Sequence, residues 1–276
     1  MKSILDSKLF NIVKDPFINL AFYDNEYLPN NTYDFYKSDG PSPRKTNDFT
    51  YSLNNYGLRS DDFNKDIANK NFLFAGCSQT VVLGLPLELG WANIVNSHFD
   101  MGSFLNIADV ALSIDIIVNN IISYINLFGA PKAIFVLFPD FNRVTVMKNN
   151  NITTDWIELK LYESKKDHLD EILLKEYFSL KALETICKIN SIPLLYSSWQ
   201  RATVEVFNTF KEKGLLECSF DIYDNYDLKV EDYDKSSSKY PNYWKNARDR
   251  VHFGERWNRY FADSFIKQIE KMNLNA

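Results

Sequence analysis

The 276-residue chain is poor in the residues that punctuate and staple small folds. It has only 9 glycines, 9 prolines and 3 cysteines. Cys77, Cys187 and Cys218 are odd in number and widely spaced. They supply no disulfide framework and no zinc spacing, which fits a reducing compartment. Basic residues are not in excess: Lys and Arg total 31 against 36 Asp and Glu, a net charge of −5, which argues against nucleic acid as a partner. No run of 18 apolar residues is present, so no membrane span is expected. The opening stretch MKSILDSKLFNIVKD is broken by charges and lacks the apolar core of a signal peptide. A cytoplasmic or virion-associated location follows as an expectation. Histidine is scarcest in proportion to its chemical use, with only His98, His168 and His252.

Aromatics, in contrast, are abundant: 21 Phe, 16 Tyr and 5 Trp, 15% of the chain. Many fall in residues 1–66, among Asn, Asp and Pro and without clean periodicity. So much aromatic surface argues against a disordered tail and for an arm wrapped on a main domain spanning 67–276. Within that domain, Phe72-Leu-Phe-Ala75 and Ala133–Phe138 read as buried strands, Phe104–Ile107 and Pro193–Tyr196 as shorter ones, and Cys218–Tyr223 as a fifth strand or an edge. Apolar positions at helical spacing predict a helix after Ser113, another over Leu169 to about Asn190, and a last one from Gly254 with the stripe Trp257, Phe261, Phe265 and Ile269. Polar excursions are expected at about 145–168 and 224–245. Strands alternating with helices predict a parallel sheet covered on both faces, with ligands at the carboxyl ends of its strands.

The stretch Asn71–Gly84, NFLFAGCSQTVVLG, places Ser78 where a strand turns into a helix. Backbone N–H groups gather there and would stabilise negative charge on a substrate; the same serine would equally serve as a helix N-cap. A serine nucleophile needs a base, and the base needs an orienting group. His252 has Asp249 three residues before it, so the two would share a face at a helix start. A solvated helix start with a capping aspartate has the same spacing. His98, in an expected loop, and His168, in the charged run 165–170, read as surface residues.

Gly76-Cys-Ser78 with Thr80 and Gly84, together with Ala247-x-Asp249-x-x-His252-Phe-Gly254 and Ala262-Asp-x-Phe265, resembles the first and last blocks of the SGNH (GDSL-type) hydrolases. The resemblance spans about residues 70–270. It implies a flavodoxin-like three-layer α/β/α sandwich, with Ser78 as nucleophile and Asp249 and His252 completing a triad. The aspartate common before the serine is Cys77 here. Asn106–Ser113 is similar to the second block but has Ala111 where a glycine is expected. The oxyanion hole would then comprise the N–H groups of Ser78 and Ala111. Asn142, in Pro139–Arg143, would supply a side-chain amide in place of the third block, or be a turn residue. Asn54–Arg59, NNYGLR, resembles a stretch preceding the first block and reads as support for the site. The implied activity is ester hydrolysis without metal or cofactor, on a small-molecule or glycan ester. Tyr226, Tyr233, Tyr240, Tyr243 and Trp244 either stack on an O-acetylated glycan or pack. An O-acyltransferase on the same site and a non-enzymatic virion-associated binding protein that keeps the fold are the alternatives, the second because of the long aromatic N-terminal arm and the weak match of the middle blocks; the Asn- and Lys-rich composition is similar to phage-encoded members.

Overall fold

The structure is a computed structural model and describes residues 17, 32–33, 49–148, 151–156, 166–224, 229–248 and 252–274. Thr32–Tyr33 (β1) and Tyr51–Ser52 (β2) form a small antiparallel ladder. A short helix Lys65–Ala68 (α1), capped by the Asn64 side chain, leads to strand Phe72–Gly76 (β3). Then follow helices Ser78–Val81 (α2) and Trp91–His98 (α3), strand Leu105–Asn106 (β4), helix Ile114–Phe128 (α4) and strand Ala133–Phe138 (β5). Strands Arg143–Lys148 (β6) and Asn151–Trp156 (β7) come next, then helix Lys166–Ile189 (α5), strand Leu194–Ser198 (β8), helix Arg201–Glu212 (α6) and helix Glu255–Lys271 (α7).

Among the described residues, four parallel strands make the central sheet, in the order β4-β3-β5-β8. The chain starts at β3, steps to β4 on one side and then to β5 on the other, which is the flavodoxin-like order. Strand alternation sends side chains to two cores. Leu73, Ala75, Ile134, Val136 and Tyr196 face α4 and α5, with Ile117, Ile121, Leu180 and Leu183. Phe72, Phe74, Phe135, Leu137 and Leu195 face α3 and α7, with Trp91, Val95, Phe261, Phe265 and Ile269. The result is the expected three-layer sandwich, with helices on both faces of a parallel sheet. Trp91 stacks on Phe265, centroids 4.5 Å apart, and Asn258 Oδ1 accepts from Trp91 N at 3.1 Å, locking α7 to α3.

Several local expectations need correction. Of the polar excursion at 145–168, residues 145–148 and 151–156 belong to an antiparallel ladder, in which β6 and β7 pair from Arg143↔Trp156 to Lys148↔Asn151, and 166–168 open α5. Ser113 does occupy the N-cap position of α4, but its hydroxyl bonds the Asp115 carboxylate at 2.5 Å and caps no backbone N–H. Of the two readings of Cys218–Tyr223, the edge holds and the strand does not: it contributes one parallel bridge, Tyr196↔Ser219. Helix α6 has no counterpart in the sequence reading. His98 is the last residue of α3, not part of a loop, and its Nε2 lies 3.5 Å from Glu270 Oε1. His168 lies in α5. Most of residues 1–48 lie outside the described residues. The adjoining stretch packs on the sandwich through buried Tyr51, Leu53, Leu58 and Phe63.

Candidate active site

Strand β3 ends at Gly76 against its neighbour β5, and the turn there has no room for a side chain. A Cβ on Gly76 would collide with the Thr80 hydroxyl and stand 2.7 Å from the Leu137 carbonyl oxygen. Cys77 keeps extended backbone and α2 begins at Ser78, with Thr80 N donating to Cys77 O at 2.8 Å. The helix lasts one turn because Val82 adopts the left-handed conformation, φ 63°. A β-branched residue is costly there, and the turn is held from outside. Arg59, only 3% exposed, donates through one guanidinium nitrogen to the carbonyls of Val81 (3.2 Å), Val82 (2.8 Å) and Leu85 (3.0 Å). Val81 and Val82 lie at the buried helix end, where carbonyls lack intrahelical partners, and Arg59 adds a donor to both. Tyr51 accepts from Gly84 N at 2.7 Å, and the Arg59 and Arg248 guanidinium groups lie over its ring, 4.5 and 5.4 Å from its centroid.

His252 arrives on a closed loop. Asn246 and Phe253 form an antiparallel bridge, Ala247 N donates to His252 O at 3.0 Å, and Arg248 N donates to Gly84 O at 2.9 Å. That last bond ties the histidine loop to the turn that follows the serine helix. Gly254 is required where the loop re-enters α7, since a Cβ would lie 2.6 Å from Asn246 N. His252 Nε2 lies 2.8 Å from Ser78 Oγ, although 174 residues separate them. Ser78 is buried, and His252 is half-buried.

Asp249 lies outside the described residues. Ala111 sits in the loop between β4 and α4 with φ 59°, the left-handed conformation in which a glycine would be at home. Asn142 is half-buried in the turn after β5, the strand paired with β3, which ends two residues before Ser78. In the same turn Asp140 is 8% exposed, and burial pushes its carboxyl up to about 6 against the opposing charge of Arg143. Asn106 reaches from β4 to the serine helix, donating to Thr80 O at 3.1 Å.

Sequence reasoning missed Trp199. It follows β8 at the carboxyl edge of the sheet, and its Nε1 donates to Cys77 Sγ at 3.4 Å while its ring meets Phe253 edge-on, 5.9 Å between centroids. The signal was present as Ser197-Ser-Trp199 at a strand's carboxyl end. The aromatic excursion, by comparison, is spent mainly on packing. Tyr243 and Trp244 are buried, Tyr233 donates to Asp263 at 2.6 Å and Tyr240 to Glu88 at 3.1 Å, and Tyr226 lies outside the described residues. Among the described residues, no group of three or more His, Cys, Asp or Glu is placed to hold a metal ion, and no helix is long and apolar enough to cross a membrane.

No protein-family model matches the sequence, and no curated protein does. Among solved structures, the chain is similar to the psychrotrophic esterase EstA from Pseudoalteromonas sp., with 11% identity, 74% of this chain and 99% of that one covered, and a TM-score of 0.43. It is likewise similar to a member of the lipolytic G-D-S-L family from Veillonella parvula, with 13% identity, 73% and 98% covered, and a TM-score of 0.44.

Proposed function

We propose that the chain is a serine ester hydrolase of the SGNH type, with Ser78 as nucleophile and His252 as general base. The observation that carries this reading is the 2.8 Å approach of His252 Nε2 to Ser78 Oγ at the carboxyl end of β3. A neutral imidazole at that distance takes the hydroxyl proton as Oγ attacks an ester carbonyl, and returns it to the leaving alcohol. Asp249 would orient the ring and stabilise the imidazolium. The N–H groups of Ser78 and Ala111 and the amide of Asn142 would receive the oxyanion. Water then resolves the acyl-enzyme.

Trp199, bonded to Cys77 next to Ser78, and Phe253, next to His252, would form an aromatic wall beside the pair, suited to a flat or ring-bearing ester. An O-acetylated glycan fits that wall better than it fits the buried aromatics of 224–245. The test is turnover of a panel of aryl esters and O-acetylated sugars, with free acetate measured in the absence of any acceptor alcohol. Ser78→Ala and His252→Ala are each expected to abolish turnover with the thermal midpoint nearly unchanged, because the pair acts as one unit. Full activity in either variant removes the reading.

A further inference from the structure

We infer that the β6–β7 hairpin sets the oxyanion hole, with Arg143 and Thr154 as positioning residues for the Ala111 amide. This inference rests on the ester-hydrolase reading. Ala111 has a left-handed backbone that its Cβ disfavours. Left alone, the turn would relax toward negative φ and rotate the N–H away from the reacting carbonyl.

The hairpin opposes that relaxation through neighbouring residues of the loop. Thr154 Oγ1 donates to Ala111 O at 2.6 Å, and Arg143, 5% exposed, donates to Leu112 O at 3.2 Å. Thr145 Oγ1 lies 2.6 Å from Ser113 Oγ and donates to Asp115 Oδ1 at 2.7 Å, and Asp115 is held in turn by Lys175 at 2.8 Å. The register explains why one hairpin reaches all of these. Thr145 pairs directly with Thr154, and Arg143 lies two residues before Thr145, so the three share a face. Val144, on the opposite face, is buried in the core and anchors the hairpin to the sandwich. Arg143 also directly follows Asn142, so a single element sets both the backbone donor and the side-chain donor.

The experiment compares Thr154→Val and Thr154→Ser with the unaltered protein, using an aryl acetate as substrate and a boronic acid as a tetrahedral analogue. Thr154→Val keeps a β-branched side chain and loses only the hydroxyl. It is expected to lower kcat about tenfold with KM unchanged, since a small misplacement of a donor is costly in the transition state. Boronate binding should weaken by the same factor, with the thermal midpoint unmoved, and Thr154→Ser should restore both. An unchanged kcat, or a loss shared with KM and thermal midpoint, overturns the positioning role while leaving the hydrolase reading intact. If Ser78→Ala retains turnover in the same assay, the hydrolase reading fails and takes the inference with it.

Discussion

At the scale of single residues, the site depends on positions where one atom more or less is decisive. Gly76 is one. Its missing Cβ lets Thr80 fold back under the strand end, where the threonine hydroxyl accepts from Trp91 Nε1 at 3.2 Å. Gly76→Ala should therefore cost about 1–3 kcal/mol of stability, as overpacking does, and should lower kcat because the turn carrying Ser78 must shift. Chemical denaturation and steady-state kinetics on the same preparation check both parts. Asp140 is another such position. Its carboxyl titrates at about 6 in the fold against an ordinary 3.8, chiefly because it is buried. Folding thus favours its protonated form. The stability this contributes is present below pH 3.8 and is lost as pH rises through about 6. Asp140→Asn should raise the thermal midpoint at pH 7.5, and the gap over the unaltered protein should close as the pH falls toward 4. A gap that does not vary with pH would show that the Asp140 carboxyl is not what titrates.

At the scale of elements, helix α5 carries a cost that the reaction as proposed does not use. Glu176 is 1% exposed where α5 packs on α4, and neither carboxyl oxygen has a hydrogen-bond partner among the described residues. Burial pushes its carboxyl well above the ordinary range, and Asp115 adds to the shift. Glu176→Met, similar in length and apolar, should stabilise the protein by about 1–3 kcal/mol at pH 7.5, the cost of an unsatisfied buried polar group. Turnover should be unchanged, and urea denaturation measures the gain. Elements also differ in how plainly the sequence displays them. β3 and β5 are short unbroken apolar runs, and burial on both faces makes them so. Helix α6 buries only Thr203, Val204 and Phe207, so its apolar stripe is too thin to stand out. The hairpin was hidden by its asparagines, although Val144, Thr145, Val146, Ile152, Thr153 and Thr154 carry the β-branched enrichment of strands.

For the whole molecule, the doubly wound order was legible because strands and helices alternate, and that order alone brings the segments after β3 and β5 to one crevice. Ser78 and His252 were legible as chemistry, but their meeting depends on long-range contacts that no local pattern encodes. Arg59 inside the Ser78 helix end, Arg248 bound to Gly84 and Trp199 against Cys77 are of that kind. The placement of Tyr51 has a temporal consequence. One aromatic ring from the first part of the chain touches Arg59, Arg248 and the turn after the serine helix. The sheet can assemble while Ser78, already braced by Arg59, still lacks its proposed base, because all four strands of the sheet precede His252. A growing chain that has not yet made residues 246–253 would carry a serine without reactivity, however well its strands are paired. On this reading hydrolytic power switches on only when the loop bearing His252 closes over a ring made long before it.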